Sequence, residues 1–141
     1  MKRLVLLVSL LFSFQAHAAE LASIEDAKLL AKNVMALVEK GDTNKGLNLL
    51  KPYLIIPESE FDVMLNNLKM QQSLIDQRFG KTVGVEYINE KIVGNSFMRI
   101  TYAQKFEKHA MRWNFYFYKP KNGWVLNTFN TDDKIQLLFT E

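Results

Sequence analysis

The alternation of apolar and polar residues is sharpest between Ala110 and Asn130, a stretch that holds seven of the chain's aromatic residues. Met111, Trp113, Phe115 and Phe117 alternate with Arg112, Asn114, Tyr116 and Tyr118. This is the period-two pattern of a strand built from strand-favouring aromatics. Lys119-Pro120-Lys121-Asn122-Gly123 interrupts it. Pro120 suits the first central position of a type I turn, and Gly123 suits a left-handed closing position. A four-residue loop, Pro120 to Gly123, sets Phe117 opposite Leu126 and Phe115 opposite Thr128. Trp113, Phe115, Phe117, Trp124 and Leu126 then share one face. A five-residue loop would mix Asn127 into that face, so segregation of apolar residues selects the shorter loop.

Two upstream turns extend the sheet. Glu107 to Ala110 reads as a turn that places Phe106 opposite Met111, Tyr102 opposite Phe115 and Ile100 opposite Phe117. Gly94-Asn95 is a two-residue hairpin signal. It sets Tyr87 opposite Tyr102 and Glu90 opposite Arg99, an opposite-charge cross-strand pair. The three turns agree on one buried face that also takes in Val83, Val85, Tyr87, Met98, Ile100, Tyr102 and Phe106. The other face carries Glu86, Glu90, Arg99, Thr101, Lys105, Arg112 and Asn114, and is expected to be wet for much of its length. Asp132-Asp133 reads as a bend before a last short strand, Ile135 to Phe139.

The period changes to that of helices before residue 82. Ile24, Ala27, Leu30, Ala31, Val34, Leu37 and Val38 form a stripe that predicts a helix over Ser23 to Lys40. Ser23 with Asp26 resembles a capping box with the shorter acid, and Gly41 closes the helix. Thr43 to Leu50 predicts a shorter helix with Leu47 and Leu50 inward, ended by Pro52. Pro57 and Ser59 start a long helix with Phe61, Leu65, Leu68, Ile75 and Phe79 on one face, and Gly80 stops it. The expectation is an α+β fold, with three N-terminal helices on a four- to five-stranded antiparallel sheet.

Met1 to Ala18 has the plan of a secretory signal peptide: Lys2-Arg3, an apolar run from Leu4 to Phe14, then Ala16-His17-Ala18 at a cleavage site. The run is short for a bilayer span, so no stable membrane anchor is expected after cleavage. Removing 18 of the 141 residues leaves 123, enough for one domain over residues 19–141. There is no cysteine, which fits a bacterial periplasm better than a disulfide-stapled extracellular scaffold. Losing Lys2 and Arg3 lowers the formal net charge from +3 to +1, which argues against a nucleic-acid binder.

Gly41-Asp42 before a short helix, the long helix from Ser59, Tyr102 with Lys105-Phe106-Glu107, Trp113 with Tyr118, Gly123-Trp124, and a closing Phe129 with Asp132-Asp133 resemble the small secreted members of the NTF2-like, cystatin-like superfamily. The resemblance covers nearly the whole chain after the leader. It implies a curved sheet wrapped around helices as a cone, a pocket at the open end, and frequent dimers. The superfamily includes isomerases, dehydratases and binding modules, so the fold alone does not name a chemistry.

Few residues offer catalysis. His109 is the one histidine after the leader and sits in a turn, and Asp132-Asp133 lacks the spaced loop of a cation site. No phosphate-cradling loop or nucleophile motif occurs. No metal, cofactor or catalytic set is therefore expected. Tyr87, Tyr102, Gln104, Trp113 and Thr128 are expected around an apolar hollow on the helix side, suited to a small apolar ligand. The plainer reading is core aromatics whose polar tips find partners at the rim. An acid is missing there, because Glu86 and Glu90 are expected to point the other way. Tyr116, Tyr118 and Phe129 are expected on the outer face, where they suit a homodimer contact. The leading expectation is a periplasmic binding module for a small molecule or an envelope protein. An isomerase or dehydratase using the tyrosines and an acid, and a structural homodimer, are the alternatives.

Overall fold

The computed structural model describes residues 18–140. The expected leader lies outside them except for Ala18. Three helices precede four strands: α1 (Ile24–Glu39), α2 (Thr43–Asn48), α3 (Glu58–Phe79), β1 (Thr82–Val93), β2 (Phe97–Phe106), β3 (Ala110–Tyr118) and β4 (Val125–Asp132). The strands form an antiparallel meander in the order β1-β2-β3-β4, so the fold is α+β.

Ser23 caps α1, its hydroxyl accepting from the Asp26 backbone N–H at 3.1 Å. The predicted stripe is buried at Ala27, Leu30, Ala31, Val34 and Val38, with Met35 added. It packs against β1 and β2. Gly46 lets α2 lie close to α1, since a Cβ there would stand 2.9 Å from the Val34 carbonyl oxygen. Leu47 and Leu50 are fully buried beside it. Pro52 sits in a 3₁₀ turn over Lys51–Tyr53, which tightens the chain before α3. Gly80, at φ +84°, ends α3 as predicted. Phe79 then packs edge-on against Phe106 and against the His109 ring, at 5.7 and 4.6 Å between ring centres.

The aromatic face points where the alternation places it. Trp113, Phe115, Phe117, Trp124 and Leu126 are buried together with Met98, Ile100 and the α1 stripe. Each such large apolar side chain contributes roughly 1.5–3 kcal/mol by leaving water. Phe117 faces Leu126 as expected. The N-terminal segment adds support, because Leu21 and Trp124 exchange backbone hydrogen bonds at 2.7 and 2.8 Å.

Several register details differ. Phe115 faces Phe129, not Thr128, because the register shifts by one between Tyr116 and Phe117. Asn127 is the extra residue of a bulge, and a one-residue slip exchanges faces. Phe129 therefore packs on the core and Thr128 turns outward beside Tyr116. Across β2 and β3, Tyr102 faces Trp113 and Ile100 faces Phe115, two residues from the expected pairing, which leaves the faces unchanged. The turn is tighter than predicted because its amides dock on the end of α3: Glu107 N–H donates to the Lys81 carbonyl and Lys108 N–H to the Phe79 carbonyl. Tyr87 faces Tyr102 as expected, but a second shift after Tyr87 sets Glu90 opposite Ile100. Arg99 instead faces Lys91, so the register does not set Glu90 opposite Arg99 as expected. A third shift, between Thr82 and Gly84, leaves Val83 64% exposed instead of buried.

The last predicted strand is a 3₁₀ turn, Ile135–Phe139, folded back toward β3. The Asp132 carboxylate accepts from the Lys134 N–H at 2.9 Å, and such local bonding competes with a strand ladder.

Candidate functional site

The five residues expected to line one hollow fall into three places. Trp113 and Gln104 are buried and bond to each other, the indole Nε1–H donating to Gln104 Oε1 at 3.0 Å. Gln104 Nε2 donates onward to the Thr82 hydroxyl at 2.8 Å. These polar groups satisfy one another inside the fold, as buried groups must. Beside them, a polar cleft of about 940 Å³ lies between the end of α1, the C-terminal half of α3 and the start of β1, with Glu39, Lys69, Asp76 and Gln104 on its walls.

Tyr87 and Tyr102 meet edge-to-face at 5.5 Å in a shallow corner of about 350 Å³ against α1. Tyr102 is buried and Tyr87 is 45% exposed. Burial pushes both phenols above their ordinary pKa, and the charge of Glu90 adds to the rise at Tyr87. Glu90 is thus on the helix side, the reverse of the expected placement. The bulge after Tyr87 turns it inward, and it pairs with Lys28 at 3.1 Å. Its hydrogen bond raises the Lys28 pKa, with Glu25 at 3.6 Å adding to the effect.

Thr128 belongs to the opposite surface of the sheet. That surface has two parts. Near its middle, polar groups form a closed ladder. Thr101 Oγ1–H donates to Asn114 Oδ1 at 2.9 Å, and Asn114 Nδ2 donates to Asn130 Oδ1 at 3.0 Å. One row further, Arg112 holds Asp132 through two nitrogens, Nε at 2.9 Å and Nη2 at 2.7 Å. Hydrogen bonding from this buried guanidinium keeps the Asp132 carboxyl below the usual carboxylate range. Thr101, Arg112 and Asn114 are buried, so this part is dry where the sequence predicted water. Each has its hydrogen-bond partner on the neighbouring strand, and the Ile135–Phe139 turn folds back toward β3.

Toward the β1–β2 turn the same surface opens into a groove of about 830 Å³. Phe97 and Tyr118 stack in it at 5.3 Å and 23°. Tyr116 and Val93 extend the apolar floor, and Lys91, Arg99, Asn127, Thr128 and Asn130 supply polar edges. Tyr116 and Tyr118 therefore stand on the outer face as expected, whereas Phe129 does not. Sequence reasoning missed Lys91, Phe97, Asn127 and Asn130. One signal was present: Leu126 and Phe129 are three apart, a spacing that only a bulge brings to one strand face.

Among the described residues no group of three or more His, Cys, Asp or Glu side chains is placed to hold a metal ion. No described helix is long and apolar enough to cross a membrane. Comparison of the chain with protein-family models and with curated proteins returns no match.

Proposed function

We propose that this chain is an exported binding module of the NTF2-like type, and that its ligand site is the groove on the outer face of the sheet. The observation that carries this is the stacked Phe97–Tyr118 pair standing in an open groove beside the amides of Asn127 and Asn130. Exposed aromatics next to fixed polar groups suit a small molecule with a flat apolar body and a few hydrogen-bonding substituents. The helix-side alternative is weaker, because Trp113, Gln104 and Thr82 already use one another as partners. Export rests on the leader-like residues 1–18. It is supported by Ala19, whose N–H donates to the Pro52 carbonyl at 2.8 Å, so the chain meets the fold directly after the expected cleavage point. A thermal-shift screen of flat, mostly apolar metabolites tests the groove. A hit should stabilise the wild type and lose its effect in Phe97→Ala and Tyr118→Ala. A screen without a hit, or a hit that stabilises all three proteins equally, rejects the site.

A second reading has one observation in its favour. Glu90 joins Tyr87 and Tyr102 on the helix side, so an acid stands beside two phenols. Proton transfer on an apolar substrate would use Glu90 as base and the phenols as donors. Isomerase turnover that survives Glu90→Gln would remove this reading.

A further inference from the structure

Helix α3 presents two apolar faces, and only one is used by the fold. Phe61, Met64, Leu65 and Leu68 pack on the core, and Phe79 closes the far end against Phe106. On the opposite side, Val63, Asn67, Met70 and Leu74 follow one another at intervals of four, three and four residues, the spacing of a single helical stripe. Val63, Met70 and Leu74 are 59%, 75% and 60% exposed. No charged residue interrupts this stripe over three turns. One border is also uncharged, with Ser59, Asn66 and Gln77. The other border carries Glu60 near the start of the helix and Arg78 near its end. A helix face meant only for water is normally charged, so an uncharged apolar seam indicates a protein partner.

We infer that this seam is a self-association surface, on which α3 of a second copy packs antiparallel across a two-fold axis. The border charges select both occupant and direction. In an antiparallel pair centred between Leu68 and Lys69, Val63 meets the partner's Leu74, and Asn67 meets the partner's Met70. Arg78 then comes beside the partner's Glu60. A parallel pair would place the charged border of each copy against the uncharged border of the other, where neither Glu60 nor Arg78 meets an opposite charge. Two-fold symmetry repeats every contact, which is how a surface comes to be complementary to itself. A lipid surface fits less well. Interfacial helices carry basic flanks, whereas α3 opens with Glu58, Glu60 and Asp62. The 22 residues span roughly 33 Å at about 1.5 Å per residue, and a seam this narrow makes a reversible dimer instead of an obligate one.

Sedimentation velocity on the purified protein over a concentration series should show monomer and dimer in exchange. Val63→Glu and Leu74→Lys should each weaken self-association by about tenfold or more, with helix content and melting temperature unchanged because both positions are exposed. The two substitutions together in one chain should restore dimerisation, because each new acid then lies against the partner's new base. A protein that stays monomeric throughout the series overturns the proposal. So does a dimer indifferent to both single substitutions, or one that Tyr118→Ala dissociates instead. Failure of the double substitution to rescue would overturn the antiparallel register.

Discussion

The two faces of the sheet are built from the same four strands, yet they solve different problems. The helix-side face is closed by apolar mass: Trp113, Phe115, Phe117, Met98 and Ile100 lie under α1 and its neighbours, and their polar atoms are few and paired. The outer face is closed only in its middle, by side chains that hydrogen-bond across strands, and it is left open where Phe97, Tyr116 and Tyr118 stand. Burial on the first face needs only shape and hydrophobicity. Burial on the second needs each polar group to find its partner, and removing one partner strands the other. The outer face stays open where neither solution was applied.

The largest effect should come from the helix side. Phe115→Ala should cost about 3–5 kcal/mol in urea denaturation, since the ring is fully buried and its neighbours come from several elements. A loss below about 1 kcal/mol would mean that the aromatic face is not the core.

Next comes the Arg112–Asp132 pair. Asp132→Asn should cost roughly 2–3 kcal/mol, less than a fully buried pair because the carboxylate is a quarter exposed. The pair also sets a sign for pH. The folded-state pKa of Asp132 is depressed, so its stabilisation is complete above the ordinary carboxylate value and is lost as pH falls through the lower folded value. Melting temperature should therefore fall from about pH 4 downward, and the fall should be shallower in Asp132→Asn. Equal slopes in the two proteins would show that the pair carries no linkage.

A smaller loss, about 1–2 kcal/mol, is expected for Thr101→Val, which removes the donor to Asn114 while keeping shape. A neutral result would show that the outer ladder is incidental and would weaken the contrast between faces. The smallest effect on stability should be at the groove. Phe97→Ala is expected to cost only about 0.5–1.5 kcal/mol, the worth of a partly exposed aromatic pair, while eliminating ligand stabilisation. A cost as large as that of Phe115→Ala would mark Phe97 as structural.

Much of the fold was legible because it rests on local patterns. The stripe from Ile24 to Val38, the cap at Ser23, the stop at Gly80 and the alternation from Met111 to Phe117 each carry their own physical reason, and all appear where expected. The candidate site was much less legible. Thr128 and Phe129 exchanged faces because of one extra residue at Asn127, and Glu90 moved to the helix side through the shift after Tyr87. A bulge costs little and leaves a weak trace in sequence, yet it inverts every side chain beyond it until the strand ends.

By itself, the order of residues determined the three helices, the four strands of the sheet, and which side of the central strands is apolar, because these follow from periodicities of 3.6 and 2 along the chain. Only tertiary structure decided where the register slips, that Thr101, Arg112 and Asn114 are dry, and that the end of α3 tightens the turn at Glu107-Lys108. Those outcomes depend on partners far apart in sequence. A buried amide or guanidinium is stable only once the group that accepts its hydrogen bond has been carried into place by another strand.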